Sequence, residues 1–209
     1  MWYVNNSLKQ TTFVAQNQYM HRLAIFASGE GSNAQKFIEY FKGRSDIGIS
    51  LIVCNNKEAG VINKAKEGGI QFIIVDKDTF YNTDSVLNEL KKEADFIVLA
   101  GFLWMVPDNI TKAFSGKMVN IHPALLPKYG GKGMYGAKVH EAVIANKEKE
   151  SGITIHYVND KYDEGKIIFQ AKCTVDESDT PELLAKKIHE LEYKFYPLIV
   201  DKLLHENIS

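Results

Sequence analysis

The sequence has little of the chemistry that marks metal centres or membrane proteins. Only two of its 209 residues are cysteine, Cys54 and Cys173, and neither belongs to a CxxC pair or a Cys/His cluster. No zinc or other metal site is therefore expected, and both thiols, which lie inside apolar runs, are expected to be buried and reduced. No apolar run approaches the roughly 18 residues that a membrane-spanning helix needs.

An excess of one charge sign is also lacking, because 25 Lys and Arg residues nearly balance 26 Asp and Glu residues. Such a balance predicts no strong attraction to nucleic acid or to a membrane surface. Residues 1–19 lack the cationic start and apolar block of a signal peptide, so a cytoplasmic location is expected. We interpret residues 1–19 as a flexible extension before a single domain over residues 20–209.

Short apolar runs alternate with segments that carry apolar residues at helical spacing through the first half of the chain. Strands are predicted over residues 23–28, 49–55, 71–76 and 95–102, and helices over residues 32–43, 58–69 and 84–94. Continuous apolar strands separated by amphipathic helices indicate a parallel sheet that is covered on both faces. The predicted fold class is α/β, with a Rossmann-like, doubly wound core.

The second half of the chain has a different pattern. A strand over residues 117–123 leads through a glycine-rich loop to a helix over residues 137–146. Two alternating strands, residues 151–159 and 165–175, are joined by the short turn DKYDEG and predict an antiparallel hairpin, so the sheet becomes mixed. A hydroxyl cap and an early proline at Thr180-Pro181 predict the start of a long C-terminal helix.

A glycine-rich turn, SGEGSN, follows the first strand and opens the first helix. Backbone N–H groups at a helix N-terminus favour anions, Gly31 lets the backbone approach a ligand, and Ser32 and Asn33 add donors. A phosphate site is one interpretation, and a tight turn capped by Ser or Asn is the other. The turn is neither a dinucleotide fingerprint, since position 34 is alanine, nor a Walker loop.

The run MVNIHPALLPKY places two polar side chains in an apolar strand. Asn120 and His122 are two positions apart and therefore point to the same face, while Pro123 ends the strand's hydrogen bonding. An amide and a titratable imidazole at the carboxyl end of a sheet strand indicate a catalytic site. The alternative is a polar pair whose hydrogen bonds are satisfied by loop backbone.

A candidate carboxylate partner for His122 lies in the turn YDEG. Asp163 near the imidazole would favour its charged form and raise its pKa, although aspartate is also common in turns for local reasons. The remaining histidines are expected to be structural or solvated: His21, His140, His156, His189 and His205.

Four motifs in this order, SGEGSN, LAGFLWMV, NIHPALLPKY and YDEG, resemble those of the folate-dependent phosphoribosylglycinamide formyltransferases of purine biosynthesis. The resemblance covers about residues 22–204. It implies that the amine of glycinamide ribonucleotide attacks the formyl group of 10-formyltetrahydrofolate, with no metal. It further implies small-molecule substrates, no nucleic-acid or membrane partner, and a monomer or homodimer.

The resemblance also implies roles for individual residues. His122 would be the general acid and oxyanion stabiliser, Asn120 an amide donor to the formyl oxygen, and Asp163 the carboxylate that keeps His122 protonated. Gly31, Ser32 and Asn33 would bind the ribonucleotide phosphate. Glu192 would lie near the glycinamide amine, although the sequence alone favours a solvated helix glutamate. The folate would be bound by Leu103, Trp104, Met105 and Val106 and by Asn159, Asp160, Lys161 and Tyr162.

Two features leave alternatives open. The loop after LLPKY reads Gly130-Gly131-Lys132-Gly133 where relatives often carry Pro-Gly and histidines, so its contact with substrate is not predicted. The nearest alternative function is another formyltransferase or a hydrolase that uses the same folate, with methionyl-tRNA, an amino sugar or water as acceptor. A non-catalytic nucleotide-binding module would explain the glycine turn but not Asn120, His122 and Asp163 together.

Overall fold

A computed structural model describes residues 21–206 of the chain. The extension predicted over residues 1–19 lies outside the described residues. The chain divides into two compact units between Met118 and Val119. The single domain predicted over residues 20–209 stays a prediction.

The first unit contains four parallel strands: β1 (His21–Ala27), β2 (Ile47–Cys54), β3 (Gln71–Ile74) and β4 (Phe96–Leu99). Strand β1 pairs with both β2 and β4, and β2 pairs with β3, so the strand order is β3-β2-β1-β4. Every residue of β1 from Leu23 to Ala27 is fully buried. Burial of consecutive residues is expected of a central parallel strand that is covered on both faces.

Helices connect the strands of the first unit: α1 (Ser32–Phe41), α2 (Val61–Glu67), α3 (Lys77–Asn82), α4 (Ser85–Glu93) and α5 (Asp108–Ala113). The sequence pattern predicts α1, α2 and α4 but not the other two. Helices α3 and α5 have six residues each, which is too short to show a helical period. A capping box begins α3, where Asp76 accepts a hydrogen bond from the Thr79 N–H at 2.8 Å.

The second unit begins within β5 (Met118–His122) and continues with α6 (Ala137–Ala145), β6 (Glu150–Tyr157), β7 (Ile167–Thr174) and α7 (Pro181–Glu206). Strand β6 pairs antiparallel with β5 and with β7. Helix α7 contacts α6, β6 and β7 and buries Leu184, Ile188 and Tyr196 completely. Each large apolar side chain buried in this way contributes about 1.5–3 kcal/mol.

These elements confirm the predicted α/β class, with parallel strands, an antiparallel hairpin and a long C-terminal helix. Cys54 is buried as predicted, but Cys173 is only half-buried, because it lies on β7, where exposure alternates along the strand. Both thiols are free. No helix between residues 21 and 206 is long and apolar enough to cross a membrane.

Candidate active site

The centre of the candidate site is the end of strand β5. Asn120 is half-buried and His122 is buried, with 3% of its surface exposed. In the antiparallel pairing of β5 with β6, Asn120 lies opposite His156 and His122 lies opposite Thr154. A second imidazole, that of His156 on β6, therefore lies beside the amide and the imidazole of β5.

The segment that follows His122 is fixed to β6 and β7 by buried hydrogen bonds. The Thr154 hydroxyl donates to the Ala124 carbonyl at 2.7 Å and accepts from the Leu126 N–H at 3.0 Å. The Gln170 amide donates to the Leu126 carbonyl at 3.0 Å. Because buried backbone groups lose free energy when they are left unpaired, these bonds hold the chain in place as it leaves the strand.

Both ring nitrogens of His122 have close partners. The Nε2 atom lies 2.7 Å from the backbone oxygen of Tyr129, and since a carbonyl only accepts, Nε2 carries the hydrogen. The Nδ1 atom lies 3.4 Å from Oδ2 of Asp163. Asp163 and His122 are thus brought together as the YDEG turn predicts, and both side chains are largely buried.

Asp163 is held in the turn between β6 and β7. Its backbone has a φ of 56°, and its Oδ2 atom accepts a hydrogen bond from the Gly131 N–H at 2.9 Å. Burial raises the pKa of this carboxyl, but the interaction with His156, the charge of His122 and the hydrogen bond from the Gly131 N–H together outweigh burial, so the pKa is lowered. The carboxylate is therefore the favoured form beside His122.

Burial dominates the pKa of His122. Together with the charge of His156, burial outweighs the Asp163 carboxylate and the hydrogen bond to Tyr129, which raise the pKa, so the net pKa is below that of an ordinary histidine. Asp163 acts in the direction expected from sequence, but its effect does not exceed the cost of burying an imidazolium. A histidine with a lowered pKa is a stronger proton donor once it is protonated.

His156 is a site residue that sequence reasoning misses. Its Nδ1 donates to the carbonyl of Tyr157 at 2.8 Å, which leaves Nε2 able to accept from the Asn120 amide at 3.2 Å. The same Nε2 lies 3.6 Å from Oδ1 of Asp163. His156 therefore contacts two of the predicted catalytic residues, and the expectation that it is merely structural is incomplete. The pairing register of β5 with β6, which puts His156 opposite Asn120, is the signal that would have identified His156 as a site residue.

In the first unit, the glycine-rich turn leads directly into α1. Gly31 is the N-cap of this helix with a φ of 71° and makes no side-chain cap hydrogen bond, so the interpretation of Ser32 or Asn33 as the N-cap is wrong. A β-carbon at Gly31 would lie 2.6 Å from the side chain of Val61. Only glycine fits this position, and the helix begins with backbone donors available to an anion.

The segment predicted to bind folate in the first unit follows β4. The Leu103 N–H is bonded to the Ser28 hydroxyl at 2.9 Å, and the Tyr81 hydroxyl donates to the Met105 carbonyl at 3.0 Å. Leu103 is 57% exposed and Val106 is buried. The Trp104 ring lies 6.1 Å from that of Tyr81, so an aromatic surface adjoins this segment.

The segment predicted to bind folate in the second unit is the turn that precedes Asp163. Asn159 accepts a hydrogen bond from the Lys161 N–H at 3.0 Å, which closes the turn. Asp160 and Lys161 are exposed, and Tyr162 is 40% exposed. Glu192, on α7, is 6% exposed, so its interpretation as a solvated helix glutamate is wrong.

Metal ligands do not cluster in this part of the protein. Between residues 21 and 206 there is no group of three or more His, Cys, Asp or Glu side chains that could hold a metal ion. A half-buried amide, two buried imidazoles and a largely buried carboxylate lie together here. They supply hydrogen-bond donors and a proton, which suits reactions that develop charge on a carbonyl oxygen.

Comparison with known proteins identifies formyltransferases as relatives of this chain. A family described as formyl transferase matches residues 21–200. Among curated relatives, the chloroplastic phosphoribosylglycinamide formyltransferase of Arabidopsis thaliana is 40% identical over 90% of this chain. The phosphoribosylglycinamide formyltransferase of Bacillus subtilis is 34% identical over 90% of this chain and 97% of its own length.

The relatives differ in length from this chain. It spans 67% of the Arabidopsis protein and 62% of the corresponding chloroplastic protein of Vigna unguiculata. The crystal structure of phosphoribosylglycinamide formyltransferase from Bacillus halodurans is 36% identical and superposes with a TM-score of 0.79, covering 88% of this chain and 95% of that one. With the family pattern matched from residue 21 to residue 200, the chain belongs to the formyl transferase family.

Proposed function

We propose that this protein transfers the formyl group of 10-formyltetrahydrofolate to the amine of glycinamide ribonucleotide, a step of de novo purine biosynthesis. The relatives named phosphoribosylglycinamide formyltransferase support this acceptor, in agreement with the sequence-based prediction. The observation that carries the proposal is the buried contact of His122 with Asp163 beside Asn120.

The reaction requires stabilisation of one developing charge. The glycinamide amine attacks the formyl carbon, and the formyl oxygen becomes an oxyanion in a tetrahedral intermediate. Asn120 donates its amide N–H to this oxygen. Because Nε2–H of His122 is bonded to the Tyr129 carbonyl, protonated His122 donates through Nδ1–H, which it shares with the Asp163 carboxylate 3.4 Å away. Fixed donors of this kind lower the barrier because they need no reorganisation. The intermediate then collapses, N10 of the folate leaves with the bonding electrons, and it gains the proton that the attacking amine loses.

Asp163 and His156 complete the proton balance in this scheme. The carboxylate of Asp163 favours the cationic form of His122 and accepts or relays the proton of the attacking amine. His156 holds the Asn120 amide through Nε2, which orients the amide donor. Because the same nitrogen faces Asp163, it either accepts from the amide or donates to the carboxylate, but not both at once.

The remaining residues are assigned to binding. Gly31, Ser32 and Asn33 bind the ribonucleotide phosphate at the beginning of α1, and Glu192 binds the glycinamide amine. The folate is bound by residues 103–106 and by residues 159–162. We further propose that the protein is a monomer or homodimer and needs neither a nucleic-acid partner nor a metal. Its proposed location is the cytoplasm, whereas the two plant relatives are named chloroplastic.

Turnover of purified protein tests this proposal. The protein is mixed with 10-formyltetrahydrofolate and glycinamide ribonucleotide, and the appearance of tetrahydrofolate is followed by absorbance. Parallel reactions contain methionyl-tRNA, an amino sugar or no amine. Rapid turnover with glycinamide ribonucleotide alone is the expected result. Turnover with another acceptor, or with water only, and none with glycinamide ribonucleotide would contradict the assignment.

A further inference from the structure

A second network of side chains lies behind His122, on the side away from Asp163. The backbone carbonyl of Tyr129 accepts the hydrogen bond from Nε2 of His122 at 2.7 Å. The hydroxyl of the same tyrosine donates to Oε1 of Glu148 at 3.0 Å, and Lys128 donates to that oxygen at 2.8 Å. A chain of contacts therefore leads from Glu148 through Tyr129 to the imidazole.

Backbone strain is concentrated in this network. Within residues 21–206, the non-glycine residues with a positive φ are Tyr129 at 57°, Lys147 at 51° and Asp163 at 56°. Tyr129 and Asp163 contact the two nitrogens of His122, and Lys147 directly precedes Glu148. Such conformations cost about 1–3 kcal/mol each and persist only where surrounding contacts enforce them. Their placement therefore indicates that the orientation of His122 is enforced.

We propose that Tyr129 is a positioning residue for His122 and that Glu148 holds it in place through the tyrosine hydroxyl. The Tyr129 carbonyl can only accept, so it fixes the hydrogen of neutral His122 on Nε2 and directs Nδ1 toward Asp163. Without this acceptor the ring can rotate or change tautomer, and a smaller fraction of molecules has the imidazole ready to donate. A backbone or carboxylate acceptor that fixes a functional histidine is a general device.

The charged and titratable groups that face His122 are few. Asp163 lies at Nδ1 on the turn after β6, and His156 on β6 acts on His122 electrostatically. His140 on α6 is close enough for its own pKa to be affected by His122. In the part of the chain that the structure describes, none of these three is hydrogen-bonded to Tyr129 or Glu148. Substitutions of Tyr129 or Glu148 therefore change the Tyr129 contact and leave these three groups in place.

Three variants and one control test the proposal. Tyr129→Phe removes the hydroxyl and Glu148→Ala removes its acceptor, while Glu148→Gln keeps an oxygen that can accept from Tyr129. Glu177→Gln is the matched control, because it breaks the exposed Lys149–Glu177 ion pair of the same unit. We expect Tyr129→Phe and Glu148→Ala to lower kcat roughly 3- to 10-fold, as loss of one ordinary hydrogen bond would. KM for both substrates should stay within about twofold in every variant.

The tautomer of His122 provides a readout that does not depend on substrate. In long-range nitrogen-15 spectra, neutral His122 should show the Nε2–H form in the unmodified protein, in Glu148→Gln and in the control. Mixed tautomers are expected in Tyr129→Phe and Glu148→Ala. Thermal unfolding confirms that each variant is folded, and if Tyr129→Phe does not fold, the two Glu148 variants decide.

Two results would overturn the proposal. One is an unchanged tautomer and kcat in both Tyr129→Phe and Glu148→Ala, and the other is an equal loss in Glu148→Gln and Glu148→Ala. The inference rests on the proposed formyl transfer only for its kinetic readout. Failure of the unmodified protein to formylate glycinamide ribonucleotide would contradict the proposed function, whereas the tautomer spectra would still test the role of Tyr129.

Discussion

His122 and Asp163 face each other across 3.4 Å, measured from Nδ1 to Oδ2, with 4% and 12% of their side chains exposed. Exclusion of water strengthens the attraction between an imidazolium and a carboxylate, and it also raises the cost of charging the imidazole. The Gly131 N–H fixes the carboxylate oxygen that faces the ring. The protonation of His122 therefore depends on a balance that single substitutions can shift.

Removal of the His122 imidazole should affect the rate more than binding. His122→Ala is expected to lower kcat about 100- to 1,000-fold, the usual cost of losing one donor to an oxyanion. The dissociation constant for glycinamide ribonucleotide, measured by calorimetry, should stay within about threefold. His205→Ala, which removes a partly exposed histidine of α7, is the control. A weaker affinity for glycinamide ribonucleotide with an unchanged kcat would show that His122 binds substrate and does not take part in catalysis.

The glycine turn before α1 allows a matched pair of substitutions. Gly31→Ala places a β-carbon 2.6 Å from Val61 at a φ of 71°, whereas a β-carbon at Gly29 has no neighbour within 4 Å. Gly31→Ala should therefore lower the free energy of unfolding by about 1–3 kcal/mol and weaken ribonucleotide binding, while Gly29→Ala leaves stability nearly unchanged. Urea denaturation measures the first effect and calorimetry the second. Equal stability of the two variants would contradict the close approach at Gly31.

His140 on α6 should make the protein sensitive to acid. Burial, together with the charges of His189 and His122, lowers its pKa to about 4, and its Nδ1 has no hydrogen-bond partner. Because the folded pKa lies below the unfolded value, stability is complete above about pH 6.5 and is lost as the pH falls toward 4.

The size of this effect can be measured by substitution. Between pH 7.5 and pH 5, His140 should account for a loss of about 2 kcal/mol in the free energy of unfolding. In His140→Met, an apolar replacement, the free energy of unfolding should fall by about 2 kcal/mol less than in the unmodified protein over the same pH interval. Urea denaturation at the two pH values measures this difference. An identical pH dependence in the two proteins would show that His140 is not held neutral.

The fold and the strand at the centre of the site can be predicted from sequence because most of their signals are local. The period of two along β5 puts Asn120 and His122 on one face, and continuous apolar runs indicate the parallel strands of the first unit. The turn YDEG predicts a carboxylate for His122, which the structure provides at Asp163. The first two inferences use residues that are close in sequence, whereas the pairing of Asp163 with His122 joins residues far apart in the chain and follows from the resemblance of the YDEG motif.

The rest of the site depends on tertiary structure. His156 reaches Asn120 because of the register between β5 and β6, which the sequence does not specify. The Tyr129 carbonyl that contacts His122 belongs to a residue in the left-handed conformation, and nothing in its side chain predicts this. The net pKa of His122 is lowered because burial outweighs the carboxylate, and the degree of burial is known only once the chain is folded.

The central claim is that Asp163 raises the pKa of His122 against the effect of burial. The direct measurement is a titration of the His122 ring by NMR in the unmodified protein, in Asp163→Asn and in Glu164→Gln, the last removing an exposed carboxylate from the same turn. Loss of the adjacent anion should lower the His122 pKa further, because burial then acts without the opposing carboxylate. The pH above which formyl transfer declines should fall in parallel, because less imidazolium is present, while Glu164→Gln changes neither quantity. A His122 titration that is unchanged or shifted upward in Asp163→Asn would contradict the account.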